Sequence, residues 1–233
     1  MSLAVQAELT RLSRLLRCDS RSLSFLRRFD AVELRALRVS VYARMYADHQ
    51  ATYARIASAS RLLPMKVTAP LAQRMLPARV SAGVVASLPA DQAAAMAARM
   101  SVEYVADVSS HLSPALAEPV LSRLSPDVVV RVAGLLRDRA DYDTMAEVVG
   151  ALTDEQVTAV VASLDDAGTL VQVALRVTDE AALQRLTAVI PEERLQQMVV
   201  WGSRRTRLWP ELTGLLARLA PEQRKRLMSA VRS

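Results

Sequence analysis

The sequence predicts an all-α fold, a superhelical stack (α-solenoid) of short, roughly twelve-residue helical repeats with longer helices at the N-terminus. Three observations carry this expectation. Only six of 233 residues are Gly and 4% are aromatic, while Ala, Leu, Val and Arg dominate; such residues lose little freedom in a helix. An apolar pair four residues apart recurs every twelve residues through the middle of the chain. A residue suited to starting a helix follows almost every pair.

Residues 1–63 lie outside the twelve-residue rule and form a basic helical region. A helix is expected over 4–17 and another over 20–28. Asp30 followed by Glu33 reads as a capping box, opening a long helix over about 31–60. Its core stripe is expected at Leu34, Leu37, Val41 and Met45. Tyr42, Tyr46, His49 and Tyr53 recur at steps of four, three and four, beside that stripe, with Arg35 and Arg38 near the same side. Two readings stand for these residues: a margin of the core whose hydroxyls reach water, or a contact surface for a protein or a nucleic acid, where Tyr and Arg are favoured anchors.

The repeats occupy 64–203. Leu76, Leu88, Met100, Leu112, Leu124 and Leu136 are each twelve residues apart, and Ala72, Val84, Met96, Val108, Val120 and Val132 stand four positions before them. Pro77, Pro89, Ser101, Ser113 and Ser125 follow the first five. The register breaks at 137–143 and resumes with Val148/Leu152, Val160/Leu164, Val173/Val177 and Leu186/Ile190, followed by Thr153, Asp165, Thr178 and Pro191. Ser113-Pro114 and Ser125-Pro126 combine a capping hydroxyl with a proline that has no N–H to leave unpaired. Thr153 and Gln156 form a second capping box. Residues between the apolar positions, such as Arg99, Arg123 and Glu147, are expected to face water. Helices this short are marginal alone, so each must bury its apolar side on a neighbour.

The units LSPALAEPVLSRL (112–124), LTDEQVTAVVASL (152–164) and LPADQAAAMAARM (88–100) resemble the cytoplasmic N-terminal domain of MgtE-type magnesium transporters, which is similar in turn to the middle region of the flagellar motor switch protein FliG. The resemblance covers about 64–203 and implies a superhelix of short helices. It carries over no functional residue. The transporter's nucleotide-sensing and membrane domains have no counterpart in this sequence, and the flagellar Glu-His-Pro-Gln signature is absent.

Residues 204–233 read as basic C-terminal capping helices, one continuous unit with the rest. Arg204, Arg205, Arg207 and Trp209 cluster there, Arg224-Lys225-Arg226 follows, and Pro210 and Pro221 each open a helix. Basic side chains beside indoles suit phosphates or bases; a charged outer face also suits the end of a repeat stack.

Charge is uneven. Residues 1–63 carry 11 basic and 5 acidic side chains (+6), 64–203 carry 11 and 17 (−6), and 204–233 carry 8 and 2 (+6). A single cysteine, Cys18, excludes an internal disulfide, in keeping with a reducing cytoplasm. No signal peptide or membrane-spanning stretch is read. His49 and His111 are far apart in sequence, and each reads as a surface or satisfied core residue. Gly83 and Gly134 sit inside helix patterns, and no phosphate-cradling loop exists. The DRADYD segment (138–143) lacks the Gly and Glu of a calcium loop, and Asp165-Asp166 and Glu192-Glu193 read as first-turn carboxylates that offset the helix dipole. No catalytic constellation, metal site or cofactor motif emerges.

The expected function is therefore a non-catalytic, cytoplasmic scaffold or adaptor that binds another protein, without membrane insertion; the oligomeric state is open. Two alternatives are a nucleic-acid-associated protein using its basic ends, and a carrier holding an apolar small molecule among Met65, Met75, Met96, Met100, Met145 and Met198.

Overall fold

The structure, a computed structural model, describes residues 2–225; Arg226 of the basic C-terminal run lies outside them. The described chain is helical throughout. It begins with α1 (Leu3–Leu16), a 3-10 helix at Ser20–Arg28, and α2 (Ala31–Ser60). The repeats follow as α3 (Met65–Met75), α4 (Ala78–Val85), α5 (Ala90–Ala97), α6 (Val102–Ser109), α7 (Pro114–Leu121) and α8 (Pro126–Asp138). Then come α9 (Tyr142–Val148) with a 3-10 turn at Val149–Ala151, α10 (Asp154–Ser163), α11 (Ala167–Ala174), α12 (Glu180–Val189) and α13 (Glu192–Ser203). A short turn at Thr206–Leu208 leads into α14 (Trp209–Arg218).

Helices α4 to α8 begin at 78, 90, 102, 114 and 126, the twelve-residue step of the sequence. Next-but-one neighbours pack together: α2, α4, α6, α8, α10 and α12 in one series, α3, α5 and α7 in another. The turn after α9 meets α7, and α9, α11 and α13 continue from there. The positions Val84, Met96, Val108, Val120 and Val132 are buried, while Leu88, Leu112 and Leu124 are half-buried. Ala82, Ala94 and Ala106, at the same place in three successive units, are buried; small side chains there let short helices cross closely. One contiguous apolar core runs from Ala106 to Leu219. A second, smaller cluster of Val5, Leu9, Leu12, Leu23, Leu26 and Leu34 joins α1 to the start of α2.

Both capping boxes form, Asp30 with Glu33 and Thr153 with Gln156. Four start signals act differently from expectation. The Ser113 and Ser125 hydroxyls make no capping bond; the first-turn amides of Leu116 and Val128 bond instead to the carbonyls of Ser113 and Ser125. Asp166 and Asp179, one residue beyond Asp165 and Thr178, are the caps of α11 and α12. The thirteen-residue steps place an extra residue ahead of these starts, so Asp165 precedes α11 and pairs with Arg194 at 3.3 Å.

Short helices leave many last-turn carbonyls without partners, and side chains from three helices later satisfy them. The Tyr104 hydroxyl of α6 donates to the Leu76 carbonyl at 2.8 Å, beyond the end of α3. The Gln156 amide of α10 donates to Leu121 and Leu124, ending α7, at 2.9 and 2.7 Å. Arg185 of α12 reaches the carbonyls of Gly150 and Leu152.

Candidate functional site

The long helix α2 does not bury the stripe read from its sequence. Leu34 is buried, but Leu37 is 40% exposed. Contacts on α2 instead follow Leu34, Arg38, Tyr42, Tyr46, Tyr53 and Ala57. Steps of four drift by about 40° each around a helix, so the buried stripe winds from the side facing α1 to the side facing α4. Tyr53 reaches Gly83 of α4, where an added Cβ would stand 2.4 Å from the ring.

Arg38 is therefore no surface residue. It is 7% exposed and lies between two carboxylates, Glu8 at 2.8 Å and Glu147 at 2.5 Å. Arg11 of α1 completes the group, 2.5 Å from Glu8 and 3.5 Å from Glu147. Glu147, expected to face water, is instead 11% exposed. Burial alone would lower the Arg38 guanidinium; Glu147 and Glu8 outweigh it and hold it above its ordinary value. This network ties α1 and α2 to α9. The acidic 138–143 segment serves the same junction: Asp141 pairs with Arg14 at 3.0 Å and caps α9. Asp143 pairs with Arg176 at 3.1 Å while its carbonyl accepts from Arg11.

Above the network lies a pocket of about 80 Å³ that joins α1, α2, α4 and the turn after α6. Tyr42, Tyr46, His49 and Tyr53 line it, together with Arg79, Ser110 and His111. Tyr42 and Tyr46 stack with centroids 6.4 Å apart, Tyr46 and Tyr53 tilt at 5.6 Å, and His49 lies 6.0 Å from Tyr53. Tyr46 shares a hydrogen bond with Ser87 at 3.1 Å, and His49 Nδ1 lies 3.0 Å from the Met45 carbonyl. Burial, then the neighbouring Tyr53, pushes the Tyr42 phenol up to about 12, against a hydrogen bond from the Ser113 backbone. Burial lowers His111, and Arg14, Arg79 and Arg17 lower it further, with Asp107 opposing. Sequence spacing grouped the tyrosines and His49. It missed His111, Arg79 and Arg11, which come from other helices and carry no local signal.

The remaining predicted residues lie elsewhere. Arg35 pairs with Asp179, the cap of α12, at 3.0 Å; the Ala182 amide and then Arg35 hold that carboxyl below its ordinary range. Arg204, Arg205 and Arg207 are exposed, as is Trp209. Arg205 lies 3.6 Å over the Trp201 ring, not beside Trp209, and Trp201 itself packs on Gly168. The C-terminal cluster and the tyrosine pocket are thus separate features of the described residues.

Two further features bear on function. The apolar cavity lined by Val105, Leu121, Val132, Met145, Val160 and their neighbours holds about 70 Å³, well short of the roughly 300 Å³ at which small-molecule pockets begin. Of the methionines read as groove lining, only Met145 borders it, and Met75 is exposed. Leu62, Leu63, Val67, Leu71 and Met75 are all exposed large apolar residues, gathered on and just before α3. No helix among the described residues is long and apolar enough to cross a membrane. Compared with models of protein families, with curated proteins and with solved structures, the chain gives no match.

Proposed function

We propose that this chain is a non-catalytic helical-repeat scaffold, a superhelix of short helices like the MgtE-type N-terminal domain, that works in the cytoplasm by binding another protein. The bare apolar side of α3 carries this reading. Val67, Leu71 and Met75 recur at steps of four and so share one side of the helix, with Leu62 and Leu63 continuing the patch. Helix α3 opens its series, packing on α5. An exposed apolar patch gathered on one helix is the mark of an interaction site, and an amphipathic helix of a partner is the shape that fits it. The test is photo-crosslinking in source cells from Leu71 and Met75, with Asp127 on α8 as control. A discrete heteromeric adduct from the two α3 positions alone is the expected outcome. No adduct, or one equally strong from position 127, overturns the reading.

A second reading rests on a different observation. Arg204 and Arg207 are exposed, as is Trp209 a few positions on in the sequence, and such a group suits phosphates and stacked bases. Binding to random RNA or DNA that weakens steeply with salt supports it. Absence of binding at low salt removes it.

A further inference from the structure

Between Asp48 and Asp91 the chain carries no carboxylate side chain. Residues 49–90 hold no Asp or Glu, while Arg55, Arg61, Lys66, Arg74 and Arg79 fall among them. This gap opens where the repeats begin, although the repeat region as a whole is acidic. Helix α3 lies inside it. Lys66 and Arg74 each precede a member of the apolar series Val67, Leu71 and Met75 by one position, so they border that side of the helix. Arg61, Lys66 and Arg74 are exposed, and none has an ion-pair partner among the described residues.

The repeat supplies an internal standard for the same side. At the twelve-residue step, Val67, Leu71 and Met75 correspond to Arg79, Gly83 and Ser87 of α4, and then to Asp91, Ala95 and Arg99 of α5. On α4 these positions are covered by a helix: Tyr53 of α2 lies on Gly83, and Tyr46 shares a hydrogen bond with Ser87. On α5 they are open and charged: Asp91 and Arg99 are exposed, and Asp91 pairs with Arg123 of α7 at 2.8 Å. Helix α3 combines the two states, open like α5 yet apolar. Val67 also removes an ion pair. Arg99 and Val67 stand two units ahead of Arg123 and Asp91, so Arg99 has no carboxylate at position 67 and turns back to the Ala95 carbonyl of its own helix at 2.9 Å.

We propose that the occupant of α3 is an acidic amphipathic helix of another protein, its apolar side chains on Val67, Leu71 and Met75 and its carboxylates against Lys66, Arg74 and Arg99. This occupant presupposes that α3 is the protein-binding surface proposed above, and it adds the charge of the partner. An apolar series at steps of four takes a helix of the same period, and α2 on α4 is the precedent for a helix on this side of a unit. Unmatched cations with no nearby acid of their own are complemented by carboxylates and repel a basic helix. A second copy of this chain offers the wrong charge. Packing α3 on α3 sets cation against cation, and the exposed Phe25 and Trp209 are neighboured in sequence by Arg27, Arg28 and Arg207.

The experiment selects binders of the full chain from a displayed library of amphipathic helices. Their apolar face is fixed as Leu, and their flanking positions are coded as Glu, Gln or Lys. The expected result is enrichment of Glu. A Glu-flanked peptide from the selection should bind about tenfold more tightly than its Gln counterpart at low salt, the sum of a few exposed pairs, with the difference shrinking as salt rises. Leu71→Asp should weaken binding about tenfold or more through lost apolar burial. Val67→Asp should do the same while leaving the urea midpoint unchanged or higher, because it restores to Arg99 the partner that Arg123 has. Joint replacement of Lys66, Arg74 and Arg99 by Glu should switch the preference to Lys-flanked helices. Enrichment that depends on Leu71 but not on flank charge overturns the acidic partner and leaves α3 as a docking surface. No enrichment over the Leu71→Asp protein also overturns the acidic helix, while cross-linking from Leu71 and Met75 decides separately whether α3 is an interface. Binding to vesicles of phosphatidylglycerol and phosphatidylcholine, or self-association in sedimentation, that Leu71→Asp abolishes assigns the surface to a membrane or to a second copy and overturns the proposal.

Discussion

The two sides of α9 meet the rest of the molecule through opposite kinds of chemistry. Toward α8 and α11 the chain buries Val, Leu and Ala in one continuous apolar core. Toward α1 and α2 it buries Glu8, Arg11, Arg38 and Glu147 in a closed set of ion pairs. Apolar burial is non-directional and tolerates modest shifts of one short helix on another. Buried charges do not: each must find its partner at hydrogen-bond distance or bear the cost of desolvation. The apolar core thus supplies cohesion along the repeats, while the ionic junction fixes where the long N-terminal helices dock.

The largest effect is expected at that junction. Glu8→Ala leaves Arg11 and Arg38 facing Glu147 alone, and should lower stability by about 3–5 kcal/mol, read from urea unfolding. If the loss stays below about 1 kcal/mol, comparable to an exposed pair, the contrast between the two regions is lost. In the apolar core, Leu183 is fully buried, and Leu183→Ala should lower stability by about 2–5 kcal/mol. Adding methyl groups back to the cavity with Leu183→Val should recover part of it, whereas Glu8→Asp should recover little, because charge geometry matters more than volume.

A third test uses alkali. Tyr42 sits over the ionic floor with its phenol pushed up to about 12. The folded state holds this proton more tightly than the unfolded chain. The contribution is therefore complete below pH 10 and is lost as pH rises from about 10 to 12, by roughly 2–3 kcal/mol. Tyr42→Phe should flatten that decline, measured as the pH dependence of the urea midpoint. The smallest effects concern glycines. Gly83→Ala drives a Cβ into the Tyr53 ring, and Gly168→Ala drives one into the Trp201 indole; each should cost about 1–3 kcal/mol. Gly134 lies inside α8 with nothing near its added Cβ, so Gly134→Ala should stabilise by about 0.5–1 kcal/mol. Equal responses at 83 and 134, in thermal melts, would deny that aromatic-on-glycine contacts lock α2 to α4.

Local rules in the sequence had direct access to the repeat. Val84 to Val132 at steps of twelve mark buried faces, because an apolar residue at helical spacing has one way to leave water. The capping boxes at Asp30 and Thr153 were equally legible, since cap and amide lie within one turn. Caps that depend on loop length were not: Asp166 and Asp179 displaced Asp165 and Thr178 by one residue. The tyrosine series on α2 is legible as a series, but the way the helix's contact stripe winds is not. A thirty-residue helix meets different neighbours along its length, and its contact stripe winds accordingly.

The sequence by itself determined that this chain is helical, where most of the short helices begin, and which side of each is apolar, because those properties arise from interactions within a few residues. Only the tertiary structure decided that Glu8, Arg38 and Glu147 share one buried junction, and that His49, His111 and Arg79 share one pocket. Those groups come from helices far apart in the chain. What brings them together is the packing of α1 and α2 on the repeats, and no spacing along the sequence encodes that meeting.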